Sequence, residues 1–171
     1  LDKKLARPQD IYFCENGKLK IGDTTIGEAS GHKFGWMTMN DIIAKSSNIG
    51  VVKIAQQVGK KSFYEYIRKF GFGEKSGLSL PGESAGQLKA QKNWSNLSLA
   101  SISFGHEIAV TPIQMVSALS AIANGGNLME PHITKALIKN GKAVQQFKPK
   151  KIHRVISEKA SLQMVEILKS V

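Results

Sequence analysis

The chain has one cysteine, few acids and no long apolar run. Cys14 stands alone, which excludes an internal disulfide and any cysteine zinc site. The four histidines fall into no HExxH or other ligand spacing, so no metal site is expected. No apolar stretch approaches the roughly 20 residues that cross a bilayer as a helix. Leu1 is preceded by no initiator Met and followed by no charged-then-apolar leader, and the expectation is a piece of something longer whose anchor or address lies outside it. Internal repeats and low-complexity segments are also missing. The shortage of acids, 13 against 24 Lys and Arg, leaves a net charge of +11. Such a balance favours an anionic partner such as nucleic acid, acidic lipid or an acidic polymer. Most basic residues are nevertheless scattered at helical spacing, and the tightest group, "KPKKIHR" from Lys148 to Arg154, reads as a solvated connector.

What is present suits one folded domain: 171 residues with 42% apolar content bury a real core. Residues 11–26 carry Asn16-Gly17 and Gly22-Asp23 between short apolar runs and predict a small hairpin-like excursion. Thr38, with Asp41 three residues on, predicts a helix beginning near Met39. Asn48 is placed to cap a second helix that Gly59 ends, and "KSFYEYIRKF" predicts a third with Phe63, Ile67 and Phe70 on one face. The stretch "GFGEKSGLSLPGESAGQL" reads as an ordered connection. "TPIQMVSALSAIANGG" has Thr111 at the cap, Pro112 at N1 and Gln114 at N3, with Ile113, Val116, Leu119 and Ala123, joined by Ala118 and Ile122, expected to face a core. Asn140-Gly141 predicts a β-hairpin, and Ser157 caps a last helix carrying Leu162, Val165 and Leu168 on one side.

The stretch "DIIAKSSNIGVVKIA", residues 41–55, places three small polar residues inside an otherwise helical pattern. Residues two apart point to opposite sides of a helix but to the same side of an irregular segment. Ser46 and Asn48 can therefore work together only on a break between helices. A serine hydroxyl is both donor and acceptor and can relay a proton toward a leaving group, while an Asn carboxamide can donate to one neighbour and accept from another. A Ser-x-Asn tripeptide arises about once by chance in a chain of this composition, and the plainer reading is that Ser46 and Ser47 end one helix and Asn48 caps the next. Two further combinations complete the motif set of penicillin-interacting serine enzymes on paper: Ser30-Gly31-His32-Lys33 and Lys75-Ser76-Gly77. Gly31 and Gly35 make a helix poor around the first, so Lys33 would not face Ser30, and no strand run supports the second.

Four blocks, "GWMTMNDIIAKSSNIGVVKIA", "FGFGEKSGLSLPGE", "SISFGHEIAVTPIQMVSALSAIANGG" and "MEPHI", stand in the order found in the transpeptidase domain of class B penicillin-binding proteins, which the chain resembles over roughly residues 11–129. The resemblance implies an α+β, mainly helical piece of the penicillin-binding/β-lactamase-like serine transpeptidase fold, a helical subdomain plus short hairpins, with an apolar face normally covered by the family's sheet. It implies that residues 1–171 form a partial transpeptidase domain, with the nucleophilic Ser-x-x-Lys upstream and the Lys-Thr-Gly downstream, so that the piece alone is inactive. Ser46 would be the proton-relaying serine and Asn48 the lysine- and substrate-orienting amide. The implied partners are D-Ala-D-Ala stem peptides, β-lactams in the parent, and a glycan-strand polymerase, on the extracytoplasmic face of a bacterial membrane through an N-terminal anchor; no cofactor and no nucleic acid are implied. Glu107, where many relatives carry a second glycine, departs from the pattern and bears on the shape of that turn. Two other readings are a basic nucleic-acid-binding module, which needs free stacking aromatics where Phe63, Tyr64, Tyr66 and Phe70 share one amphipathic helix, and a catalytically dead interaction module.

Overall fold

The computed structural model describes residues 1–78 and 81–171. In chain order the elements are β1 (Ile11–Phe13), β2 (Lys18–Ile21), β3 (Thr24–Gly27), β4 (Trp36–Thr38), α1 (Met39–Ala44), α2 (Asn48–Val58), α3 (Lys60–Lys69), β5 (Gln87–Leu88), α4 (Ser98–Ser103), β6 (Ile108–Ala109), α5 (Pro112–Ala123), β7 (Asn127–Met129), β8 (Ala136–Lys139), β9 (Lys142–Gln146), β10 (Lys151–Arg154) and α6 (Glu158–Leu168). Helix outweighs strand, as expected for an α+β chain. Among the described residues the strands form only antiparallel pairs: β1 with β4, β2 with β3, β5 with β6, β7 with β10 and β8 with β9.

Helix starts follow the local chemistry. Thr38 accepts the Asp41 N–H and opens α1, Thr111 and Gln114 form a complete capping box at α5, and Ser157 accepts the Ala160 N–H at α6. Asn140 and Gly141 both take positive φ, 51° and 75°, in the two-residue turn of the β8–β9 hairpin. Gly59, at φ 81° and ψ 149°, ends α2 and lets α3 begin at the next residue.

Several expectations change. The second helix is capped by Ser47, whose hydroxyl accepts the Gly50 N–H, and Asn48 is its first helical residue. Asn16-Gly17 is not a hairpin turn but part of a 3₁₀ segment carrying the chain from β1, which pairs with β4, to the β2–β3 hairpin. More than half of the supposed connector, Lys151 to Arg154, is an exposed strand paired with β7. Helix α5 is partly rotated from the expected face: Ala118 is buried and Ile122 packs on the second core as expected, but Gln114 and Ala121 are buried with them, whereas Val116 is 58% and Leu119 51% exposed. The cause is Gln114, whose Nε2 donates to the carbonyls of Glu74 at 2.7 Å and Ala85 at 2.9 Å while its Oε1 accepts the Thr111 N–H. Satisfying those groups draws that face inward and holds the connection at Glu74 and Ala85; Ser79 and Leu80 of the predicted 71–88 connection lie outside the described residues. Likewise α6 buries Ala160, Ser161 and Ile167 and turns Leu162 outward.

The first core gathers Cys14, Ile26, Met37, Ile42, Ile49, Val52 and Ala100 from the β-hairpins, α1, α2 and α4. A second, around Ala121, Leu128, Val155, Ile156 and Ala160, joins α5, β7 and α6. Asp2 ties the N-terminus to both α3 and α6 by accepting the Tyr66 hydroxyl and, at 2.8 Å, the Ser157 N–H. Burial, followed by that Asp2 contact, pushes the Tyr66 phenol up to about 12.

Candidate active site

The junction between α1 and α2 carries the Ser-x-Asn triplet. Helix α1 ends on a two-bond motif in which the Ser46 N–H donates to the Ile43 carbonyl at 3.2 Å and the Ser47 N–H to the Ile42 carbonyl at 2.9 Å. Ser46 thus occupies the left-handed position that glycine usually fills, at φ 53°. Helical geometry is broken there, as a joint role for Ser46 and Asn48 requires. Ser46 is exposed, and among the described residues its hydroxyl has no hydrogen-bond partner; Asn48 is half-buried; Ser47 between them is fully buried.

The triplet is held from beneath. The Ser47 hydroxyl donates to Glu28 Oε1 at 2.6 Å and accepts the Gly50 N–H at 3.0 Å, and the Asn48 backbone N–H donates to Glu28 Oε2 at 2.6 Å. Asn48 Nδ2 donates to the Gly27 carbonyl at 3.0 Å, which leaves Oδ1 able to accept from another group. Cys14 Sγ lies 3.6 Å from the Ser47 hydroxyl; burial pushes its thiol up and keeps it protonated and inert. Sequence reasoning singled out Ser46 and Asn48 as candidates but neither Glu28 nor the cap made by Ser47. A lone acid in the loop "GEASG" carries no periodic or spacing signal, and its partners lie 19 and 20 positions away.

The other two motif combinations do not assemble. Residues 29–31 form a 3₁₀ turn with Ser30 at φ 54°, so Ser30 and Lys33 do not share a helical face. Lys75 and Ser76 lie in irregular backbone, where Ser76 donates through N–H and hydroxyl to Glu83 Oε1 at 2.5 Å each. Glu107 takes φ 56°, a glycine-like conformation, and its carboxylate accepts the hydroxyl of buried Ser98 at 2.8 Å. That bond, opposed by desolvation and supported by Lys89, holds its carboxyl below the usual range. The turn thus keeps a glycine-type backbone without glycine. No group of three His, Cys, Asp or Glu able to hold a metal occurs among the described residues. The α3 aromatics are engaged internally: Tyr64 packs edge-on against Trp94, Tyr66 bonds Asp2, and Phe63 and Phe70 line an apolar cavity of about 300 Å³ with Met39, Ile43, Val51 and Met164. Neither Ser46 nor Asn48 lines that cavity.

The profile described as "Penicillin binding protein transpeptidase domain" matches residues 1–171. The chain belongs to this family. Relatives of the transpeptidase family include penicillin-binding protein PbpB of Mycobacterium tuberculosis, 33% identical over 172 residues, and stage V sporulation protein D of Bacillus subtilis, 38% identical over 175. Each match takes in 100% of this chain but only 25% and 27% of the relative, so the chain spans about a quarter of their length. Among solved transpeptidase structures, penicillin-binding protein 3 of M. tuberculosis complexed with ampicillin superposes with a TM-score of 0.88 at 32% identity, over 98% of this chain and 37% of that one. The apo domain of penicillin-binding protein 3 from Burkholderia pseudomallei gives 0.86 at 28% identity, over 99% and 48%. The nucleic-acid reading gains no support from any of these. No helix among the described residues is long and apolar enough to cross a membrane.

Proposed function

We propose that the chain is the Ser-x-Asn segment of a peptidoglycan D,D-transpeptidase whose Ser-x-x-Lys and Lys-Thr-Gly segments lie elsewhere in a longer parent. The observation that carries this reading is the strained, exposed Ser46 held beside a tethered Asn48 at a helix break, in a chain of this family. In the parent, the nucleophilic serine attacks the carbonyl of the penultimate D-Ala of a stem peptide. The Ser46 hydroxyl accepts that serine's proton by way of the neighbouring lysine and passes its own to the departing D-Ala amine, so that the C–N bond breaks without releasing an anion. Asn48 Oδ1 accepts from the lysine ammonium or the substrate amide N–H. A second stem-peptide amine then takes the acyl group and completes the crosslink, and a β-lactam would follow the same first step. The parent would act outside the cytoplasmic membrane beside a glycan-strand polymerase, anchored through its N-terminal part, and the 171-residue piece alone would be inactive.

The test is the rate at which a fluorescent penicillin acylates the full-length parent. Ser46→Ala and Asn48→Ala are each expected to lower it by about 10² or more, the range for a positioned proton donor. Full rates in both variants would remove the role given to these residues.

A further inference from the structure

Ser-x-Asn leaves its middle position unspecified, yet Ser47 is the member of the triplet with no exposed surface. It faces Glu28, a carboxylate only 8% exposed at the end of β3. No salt bridge accompanies Glu28 among the described residues; its two oxygens are taken by the Ser47 hydroxyl and the Asn48 N–H. We propose that Glu28 is a positioning residue for the transpeptidase reaction, its carboxylate clamping Ser47 and Asn48 so that the Ser46 hydroxyl and the Asn48 carboxamide stay aimed at the reacting groups. The proposal rests on the roles assigned above to Ser46 and Asn48.

Three physical points support the clamp. Hydrogen bonds to a carboxylate are shorter and about twice as strong as neutral ones, and both here measure 2.6 Å. The carboxylate sits against the N-terminus of the 11-residue α2, where the helix dipole favours negative charge. Ser46 in the left-handed region holds its place only when its surroundings over-determine it, and the next two residues are the ones Glu28 grips. Glu28 touches neither substrate nor nucleophile, so it acts through the geometry of the turn. Removing a carboxylate that served only as a helix cap would lower stability and leave the folded enzyme's chemistry unchanged.

The experiment separates these in the full-length parent by stopped-flow acylation with a fluorescent penicillin well below the unfolding midpoint. Glu28→Gln keeps the size but sets an amide N–H₂ against one of the two donors. It is expected to slow the acylation step on the order of tenfold while the affinity of the initial non-covalent complex stays within about twofold, the pattern of a displaced supporting group. Glu28→Asp, which keeps the charge, should recover part of that loss; Ser47→Ala, which cuts the hydroxyl link alone, should slow the same step. An unchanged acylation step in folded Glu28→Gln, with Ser46→Ala and Asn48→Ala both impaired, would overturn the clamp and leave the relay standing. If Glu28→Gln does not fold, an unchanged step in Ser47→Ala overturns it instead. Full rates in Ser46→Ala and Asn48→Ala would mark failure of the underlying assignment, whatever the Glu28 variants do.

Discussion

Ser46 occupies a backbone position that glycine fills at lower free energy, because a Cβ in the left-handed region crowds the following carbonyl by roughly 1–2 kcal/mol. Glycine would add about 0.5–1 kcal/mol of chain entropy in the unfolded state, so the net gain from Ser46→Gly is expected to lie between about 0 and 1.5 kcal/mol. The same change deletes the hydroxyl. Ser46→Gly in the parent should therefore unfold at an equal or higher temperature while acylating as poorly as Ser46→Ala. A clear loss of stability would show that the serine is there for packing rather than chemistry. At this scale the helix break at the triplet was legible, since the bonds that close it are local. Glu28 was not, since nothing in a loop carboxylate announces which distant N–H it meets.

At the scale of elements, the junction depends on how closely α2 approaches α1. A Cβ built on Gly50 would lie 2.5 Å from Ile42 Cγ1 and 2.6 Å from Cγ2, atoms of a fully buried β-branched side chain with no room to turn. Gly50→Ala gains up to about 1 kcal/mol of helix propensity but overpacks the crossing by roughly 1–3 kcal/mol. Overpacking should win, lowering the denaturant midpoint. Because the Gly50 N–H donates to Ser47, the shift should reach the triplet as slower acylation. Helix α5 carries a different lesson. Its apolar stripe was read as the buried face, but the capping-box glutamine, by bonding the Glu74 and Ala85 carbonyls as well, turned a polar edge inward and left Met115, Val116 and Leu119 exposed.

For the whole molecule, the outward apolar side chains of α5 and α6 and the charge of +11 oppose each other. Val116, Leu119 and Leu162, each more than half exposed, favour association, which the net charge resists until salt screens it to within about 8 Å at physiological ionic strength. The 171-residue chain is expected to sediment closer to a monomer at low salt and to self-associate as salt rises. Replacing those three residues with Gln should abolish the salt effect, and association that weakens with salt would point to charge pairing instead. The caps at Thr38, Thr111 and Ser157, the Asn140-Gly141 turn and the break at Ser46 were determined by the sequence alone, because each is closed by bonds within three to five residues. Only the tertiary structure decided which face of α5 or α6 is buried and that Glu28 grips the turn. Those outcomes depend on partners far apart in the chain, where a side chain's surroundings rather than its identity set its free energy.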